Sequence, residues 1–477
     1  MAHTPKLSLL GSDQLERLHQ AGLDILDRFG IRVEDPAVRT LLGDNGCRVE
    51  GERVFFSADL VAKAVANQRK SVTLRSLAGG TLDLEIGKMF SHSTGGAPWM
   101  IDAETGKRRV SQLSDLVDCI HVMNQLSNLD IPCALVYPGD VRSEITQLVQ
   151  MATMFEYAKK PVYGPGISMS TNARYIAELF KIYGGDDLAQ NPIGLVGISP
   201  ESPLFLPKEI TDTTRYIVEA GIPVSILSAP IGGLSAPLTV LGTVAQCHAE
   251  ILSYATVAYL MNPDCVMFYG ARCFFANMKT CQSILGLPES GLASAFGAEL
   301  ATYCGFMSDF YGITCTSCTM DEQTGYEKMI NGLLPALAGG TMITGFGSLA
   351  SVMSSALGQL VLDDEIMAMI KRAMRPVELD DDILGFDAIG AVIGGGETFV
   401  SQMHTVDYLR AGEIFAPSIG FDSTFSDWIK VGEPDLNARA DAHAKELRAR
   451  DEVVPADPDI KKEVDALLAA AEKELTK

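Results

Sequence analysis

Cys315-Thr-Ser-Cys318 is the pattern in this chain with the plainest chemical reading, because two thiols two residues apart can hold zinc or cycle as a redox pair. A structural zinc wants four ligands, and neither a second C-x-x-C nor a nearby histidine accompanies this one, so the simpler reading is two small core residues at a strand end. His248 stands mid-helix among Ala, Val and Ile, the ordinary surroundings of a core histidine. Gly394-Gly395-Gly396, followed by Glu397 and then His404, would let backbone come close to a bound group, although glycine clusters more often mark turns. Trp99, Tyr137, Tyr163, Tyr269 and Phe346 each fall near the end of a short apolar run. Aromatic faces attract diffuse cations, but such rings are also commonly buried for area alone. No convincing acid and base pair stands out.

The elements that must position these residues follow a regular pattern. Residues up to about Ile86 alternate a helix-like segment (12–29), strand-like pieces (54–56 and 72–74) and a second helix (58–67), which together read as a small α/β extension. Beyond it come eight β-rich or Gly/Pro-bounded apolar runs: KMFSHSTGG, DIPCALVYP, PVYGPGIS, PIGLVGISP, PVSILSAP, CVMFYGAR, ITCTSC and TMITGFGS. Helical spacing resumes after each, near Leu113, Ser143, Asn172, Lys208, Leu238, Pro288, Asp321 and Ser355. Eight strand-then-helix units predict an α/β fold, a (β/α)8 TIM barrel. A doubly wound sheet also alternates in this way, but no GxGxxG turn opens a helix. An acidic linker (376–382), a Gly-rich segment and a helical tail from Asp435 complete the chain. The expected division is an N-terminal α/β extension (1–87), the barrel (88–375) and a C-terminal Gly-rich segment with a helical tail packed on it (376–477).

Bulk composition excludes several classes. At 477 residues, with 47% hydrophobic and 21% charged side chains, the chain has ample material for a large core. A formal charge of −22 argues against a nucleic-acid or anionic-membrane surface. Ten scattered cysteines within apolar runs read as reduced thiols and hence a cytoplasmic location. The first residues carry no basic stretch leading into an apolar one, so no secretory signal is expected. No apolar run approaches the roughly twenty residues of a membrane span. A mean hydropathy of +0.15 suggests a homo-oligomer.

The segment DEQTGYEKMINGLLPALAGG (321–340) resembles the trimethylamine methyltransferase family, which shows a similar Q-x-G-Y-E block before an apolar Leu-Pro-Ala-Leu-Ala-Gly helix. The likeness extends to LHQAGLDILDRFGIRV near the start and to HTVDYLRAGEIFAPSIGFDSTFSDW near the end, covering almost the whole chain. The resemblance implies a barrel whose mouth receives a methylamine substrate and a corrinoid protein. Only standard residues occur here, which resembles the non-pyrrolysine branch that includes glycine betaine methyltransferases. Between Gly312 and Asp321 lie only residues 313–320, shorter than the family's Gly-rich loop, so no position corresponds to the pyrrolysine of its namesakes.

On that resemblance the expected activity is transfer of a methyl group from a quaternary amine, glycine betaine or similar, to cobalamin carried by a partner corrinoid protein. A quaternary amine departs as a neutral tertiary amine, so no general acid is needed, consistent with the missing acid and base pair. Trp99, Tyr137, Tyr163, Tyr269 and Phe346 become the expected cage for the ammonium, and Glu201 a possible source of charge complementarity. Arg272 and His92 are expected to receive a carboxylate. Gly394, Gly395, Gly396 and His404 are expected to approach the corrin, and no intrinsic metal is expected. Two alternatives stand beside this reading. One is a zinc-thiolate corrinoid methyltransferase using Cys315 and Cys318; the other is a betaine-binding sensor without turnover.

Overall fold

Seven short strands, each too narrow to bury both faces alone, lie parallel in one curved sheet. Their spatial order is Phe90–Ser93, Met342–Phe346, Met307–Tyr311, Met267–Ala271, Val224–Ser228, Gly194–Ile198 and Val162–Gly166. The computed structural model describes residues 4–396, 398–452 and 457–476. Residues 131–136 fill the seam between the first and last strands, bridging to His92 through Ile131 and to Tyr163 through Cys133. Pro132 has no N–H to give to that seam. Ser93 Oγ helps complete it by accepting from the Cys133 amide at 2.7 Å. With this eighth stave the sheet closes into a barrel.

Eight helices follow the staves and form the outer ring: Leu113–Gln125, Thr146–Tyr157, Ser170–Gly184, Lys208–Glu219, Val240–Met261, Pro288–Cys304, Glu322–Leu337 and Leu357–Ala373. Seven of the eight sequence runs supply staves. ITCTSC does not; it is the loop after the seventh stave, which is instead Met307–Tyr311. That stave alternates inward Met307, Asp309 and Tyr311 with outward Ser308 and Phe310, as a strand's period of two requires.

The lumen is filled from below. Ile131, Cys133, Tyr163, Leu195, Phe268, Met307 and Met342 come from six of the staves and share one buried cluster, which only a common interior permits. Val72, Leu74 and Leu84 join that cluster from the antiparallel hairpin Ser71–Arg75/Thr81–Glu85, so the hairpin seals the base of the barrel.

The N-terminal helix Ser12–Arg28 buries Leu18, Gly22 and Leu26, a one-turn spacing that puts all three on one stripe. It packs against Val240–Met261 and Pro288–Cys304. Strand Ile31–Val33 pairs antiparallel with Arg53–Phe55 and parallel with Phe205–Leu206, tying the extension to a barrel loop. At the other end, helix Leu436–Arg450 lies along Leu357–Ala373 and Leu113–Gln125, and Pro458–Leu475 follows it. The Gly-rich segment is helical over Phe386–Gly395, with Gly396 at φ 71° as its left-handed cap. Glu397 lies outside the described residues. Among the described residues no helix is long and apolar enough to cross a membrane.

Candidate functional site

Asp309 is the centre of the lumen. It projects inward halfway along its strand, is fully buried, and accepts hydrogen bonds from four side chains. His92 Nε2 lies 2.8 Å and Arg272 Nη2 2.6 Å from its Oδ1; the Tyr163 hydroxyl lies 2.9 Å and Ser225 Oγ 2.8 Å from its Oδ2. Burial alone would raise this carboxyl, but the Arg272 guanidinium and His92 outweigh it and hold Asp309 well below the usual carboxylate range. His92 also approaches the Ser93 carbonyl through Nδ1 at 2.9 Å, so both ring nitrogens face acceptors. Burial and the neighbouring Asp309 charge push the Tyr163 phenol well above its ordinary value, keeping it a hydrogen-bond donor.

Arg272 links this polar layer to the mouth. Its guanidinium carbon lies 4.7 Å from the centroid of the Tyr311 ring, one inward position above Asp309. Its Nη1 is buried with no hydrogen-bond partner among the described residues. Tyr311 lines a mouth cavity of about 470 Å³ together with Phe274, Gln282, Ser283, Leu285, Thr316, Cys318 and the loop 350–353. Phe274 and Tyr311 have ring centroids 6.3 Å apart. Among the described residues no carboxylate lines this cavity.

Two loops roof the cavity. The tip of the hairpin Ser348–Leu349/Ser354–Ser355 places Ala350, Ser351 and Val352 in succession at φ 51°, 54° and 63°, a left-handed run that costs L residues conformational energy. Their amides are used in part: Ala350 N donates to the Ser317 carbonyl at 2.7 Å and Ser351 N to the Cys315 carbonyl at 2.9 Å. The 313–320 loop is held from below by the helix Glu322–Leu337. Asp321 caps that helix by accepting from Thr324 N and also accepts from Ser317 Oγ at 2.9 Å. Glu327 accepts from Thr316 N at 2.6 Å and from Gln323 Nε2 at 2.8 Å. Lys328 is fully buried and pairs with Asp363 at 2.8 Å, also donating to the Gly345 carbonyl. Burial pushes the Asp363 carboxyl up to about 6 against the opposing pull of Lys328. The Q-x-G-Y-E block therefore positions the mouth.

The structure brings His92, Tyr163 and Arg272 together but does not assemble the expected five-ring cage. Tyr269 faces outward between strand and helix, its hydroxyl 2.9 Å from His248 Nδ1, because its neighbour Phe268 takes the inward position. Phe346 is wholly buried in the core outside the lumen cluster, past a register shift in its strand. Trp99 lies in a separate four-stranded sheet at the mouth side, with the Arg108 guanidinium carbon 4.3 Å from its ring centroid. Tyr137 is half-buried, and its hydroxyl reaches the Ser143 carbonyl at 3.4 Å. Glu201 is an exposed loop residue engaged through its backbone with Phe205.

Gly394, Gly395 and Gly396 are exposed with open space around them, and His404 turns to the Asp382 carbonyl at 2.9 Å, so none of the four approaches the mouth cavity. Cys315 is buried with its Sγ 3.5 Å from the Ser348 carbonyl, and Cys318 is exposed. Neither thiol joins a group of metal-ligating side chains among the described residues. Sequence reasoning missed Asp309, Ser225, Phe274 and Tyr311. Alternation of inward residues along M-S-D-F-Y was the available signal for Asp309 and Tyr311.

A profile of the family described as trimethylamine methyltransferase (MTTB) matches residues 1–476. The chain belongs to that family. Trimethylamine methyltransferase MttB of Methanosarcina barkeri (strain Fusaro) is 30% identical over 481 residues, covering 98% of this chain and 96% of the relative. The glycine betaine methyltransferase of Desulfitobacterium hafniense is 26% identical over 479 residues, covering 99% and 98%. Among solved structures, the monomethylamine methyltransferase (MtmB) of Methanosarcina barkeri aligns with a TM-score of 0.54 at 14% identity, covering 94% of this chain and 89% of that one. That likeness bears on the fold. Membership over nearly the full length makes this chain a methyltransferase, and within the family its seven-strand sheet with the irregular eighth stave is the frame that carries the Asp309 cluster.

Proposed function

We propose that the chain takes a methyl group from a carboxylate-bearing quaternary amine, glycine betaine or a close analogue, and passes it to the cobalamin of a partner corrinoid protein. The observation that carries this reading is Arg272: a buried guanidinium with one nitrogen unpaired among the described residues, stacked on a ring that lines a cavity where none of those residues offers a carboxylate. Asp309 is already engaged by Arg272 and His92, so a bare ammonium in that cavity would find no acid of its own among the described residues. A zwitterion can direct its carboxylate to the guanidinium and its methylated nitrogen toward the rings of Phe274 and Tyr311. His92 and Tyr163 support this through Asp309, which fixes the guanidinium. The glycine betaine relative fits the same substrate class.

The corrinoid acceptor would supply a strong nucleophile. The residues of this chain bind the substrate, aim one methyl group outward and exclude water. The transfer would break the C–N bond with its electron pair going to nitrogen, while the reduced acceptor would supply the pair for its new bond to the methyl carbon. The departing tertiary amine is neutral, so no proton has to be delivered. The zinc-thiolate alternative gains nothing from the isolated positions of Cys315 and Cys318.

The test is a panel of glycine betaine, carnitine, trimethylamine and tetramethylammonium mixed with the protein and a reduced corrinoid protein, read by the cob(I)alamin to methylcobalamin absorbance change. Turnover restricted to the carboxylate-bearing compounds is expected. Equal turnover of tetramethylammonium or trimethylamine would remove the role given to Arg272, and binding heat without turnover would favour a sensor.

A further inference from the structure

Away from the lumen, three helices bring together side chains that the methyl-transfer reading does not use. His19 comes from the N-terminal helix, His248 from Val240–Met261, and Cys304 is the last residue of Pro288–Cys304. His19 Nδ1 lies 2.9 Å from His248 Nε2 and 3.5 Å from Cys304 Sγ, and the three ligand atoms all fall within 4.8 Å of one another. We infer that this His–His–Cys cluster is a zinc site of the open kind, with three protein ligands and one position left for water, joining the N-terminal helix to the outer wall of the barrel.

The donor set and its dimensions suit the ion. Zinc bonds of about 2.0–2.1 Å to nitrogen and about 2.3 Å to sulfur, at tetrahedral angles, put nitrogens roughly 3.3 Å apart and nitrogen and sulfur roughly 3.6 Å apart. Cys304 is already at that separation from His19, and the two imidazoles need to part by only a few tenths of an ångström. His248 and Cys304 are buried while His19 is partly exposed, which leaves a solvent-side position for water as fourth ligand. Behind the site, Tyr269 Oη lies 2.9 Å from His248 Nδ1 and can accept from it when Nε2 binds metal, the outer-shell contact that orients a ligating histidine. Gly22 makes the approach possible: a Cβ there would stand 2.5 Å from His248 Cδ2. Binding converts Cys304–SH and Zn²⁺ to the zinc thiolate and releases one proton to solvent.

The experiment uses the full-length protein. Elemental analysis of protein purified without added chelator should find one zinc per chain. After chelation, added cobalt(II) should give a sulfur-to-cobalt charge-transfer band. Cys304→Ser should abolish that band, His19→Gln should weaken zinc binding at least about tenfold, and the double variant Cys315→Ser/Cys318→Ser should leave both intact. Should Cys304→Ser fail to fold, zinc-edge absorption of the unaltered protein decides the matter, one sulfur among nitrogen and oxygen scatterers being expected. No zinc and no cobalt band, a band that survives Cys304→Ser, or a zinc shell lacking sulfur would each overturn the assignment.

Discussion

Replacing Asp309 by Asn keeps the shape of the central side chain and removes its charge. In the folded protein this leaves Arg272 buried, its side chain 6% exposed, without a counter-ion. Breaking a buried ion pair from one side costs about 3–5 kcal/mol. The amide oxygen can still accept from Arg272 and His92, and the hydroxyls of Tyr163 and Ser225 can turn to accept from the amide nitrogen. The loss should therefore fall at the lower end, about 3 kcal/mol, within the total stability of roughly 5–15 kcal/mol typical of a folded domain. Urea unfolding followed by circular dichroism measures it. The companion variant Arg272→Met, alone and combined with Asp309→Asn, closes a double-mutant cycle. Because the double variant buries neither charge, it should recover much of the loss, with a coupling of about 2 kcal/mol or more. A single-variant loss below about 0.5 kcal/mol, or effects that simply add, would refute the view that this pair organises the lumen.

Three further outcomes are expected. Tyr311→Ala and Phe274→Ala should each weaken glycine betaine binding by about 0.5–2 kcal/mol in calorimetric titration; unchanged affinity in both would empty the mouth cavity of its role. Asp309 is held below its ordinary value of 3.8, so the stability it contributes is complete above that value and declines as pH falls, by about 1 kcal/mol at pH 3. The stability gap between the native protein and Asp309→Asn should narrow accordingly, and a constant gap would contradict the assignment. Lys328→Met strands Asp363, whose carboxyl already sits at about 6 in the folded state and should rise further. Such a group favours the folded form while protonated, so the penalty, at most about 3–5 kcal/mol, should be largest in alkaline solution and shrink toward pH 5; a penalty independent of pH would count against it.

The barrel was legible in the sequence because its staves are bounded by Gly and Pro and its helices keep their spacing. The one misplaced stave is instructive. Met307–Tyr311 carries Ser308 and Asp309 in its middle, which break the apolar run, whereas the following ITCTSC is rich in strand-forming residues yet folds as a loop. Polarity inside the lumen thus hid the strand that holds the site. The cage expectation failed at the level of a single residue: Phe268 and Tyr269 are adjacent, and alternation sends one inward and the other to His248. Composition cannot say which. Arg272 and His92 stand out in the sequence because charge among apolar neighbours is conspicuous, but they were expected to receive a carboxylate from a ligand, and the one they meet is Asp309, more than thirty positions from either.

The hairpin that stoppers the foot of the barrel makes it a vessel with one opening. The small donor and the macromolecular acceptor of the proposed reaction would have to use the same doorway. On the proposed function traffic would be compulsory in sequence: the small donor enters first, the large acceptor caps it, and the demethylated product waits until the acceptor lifts away.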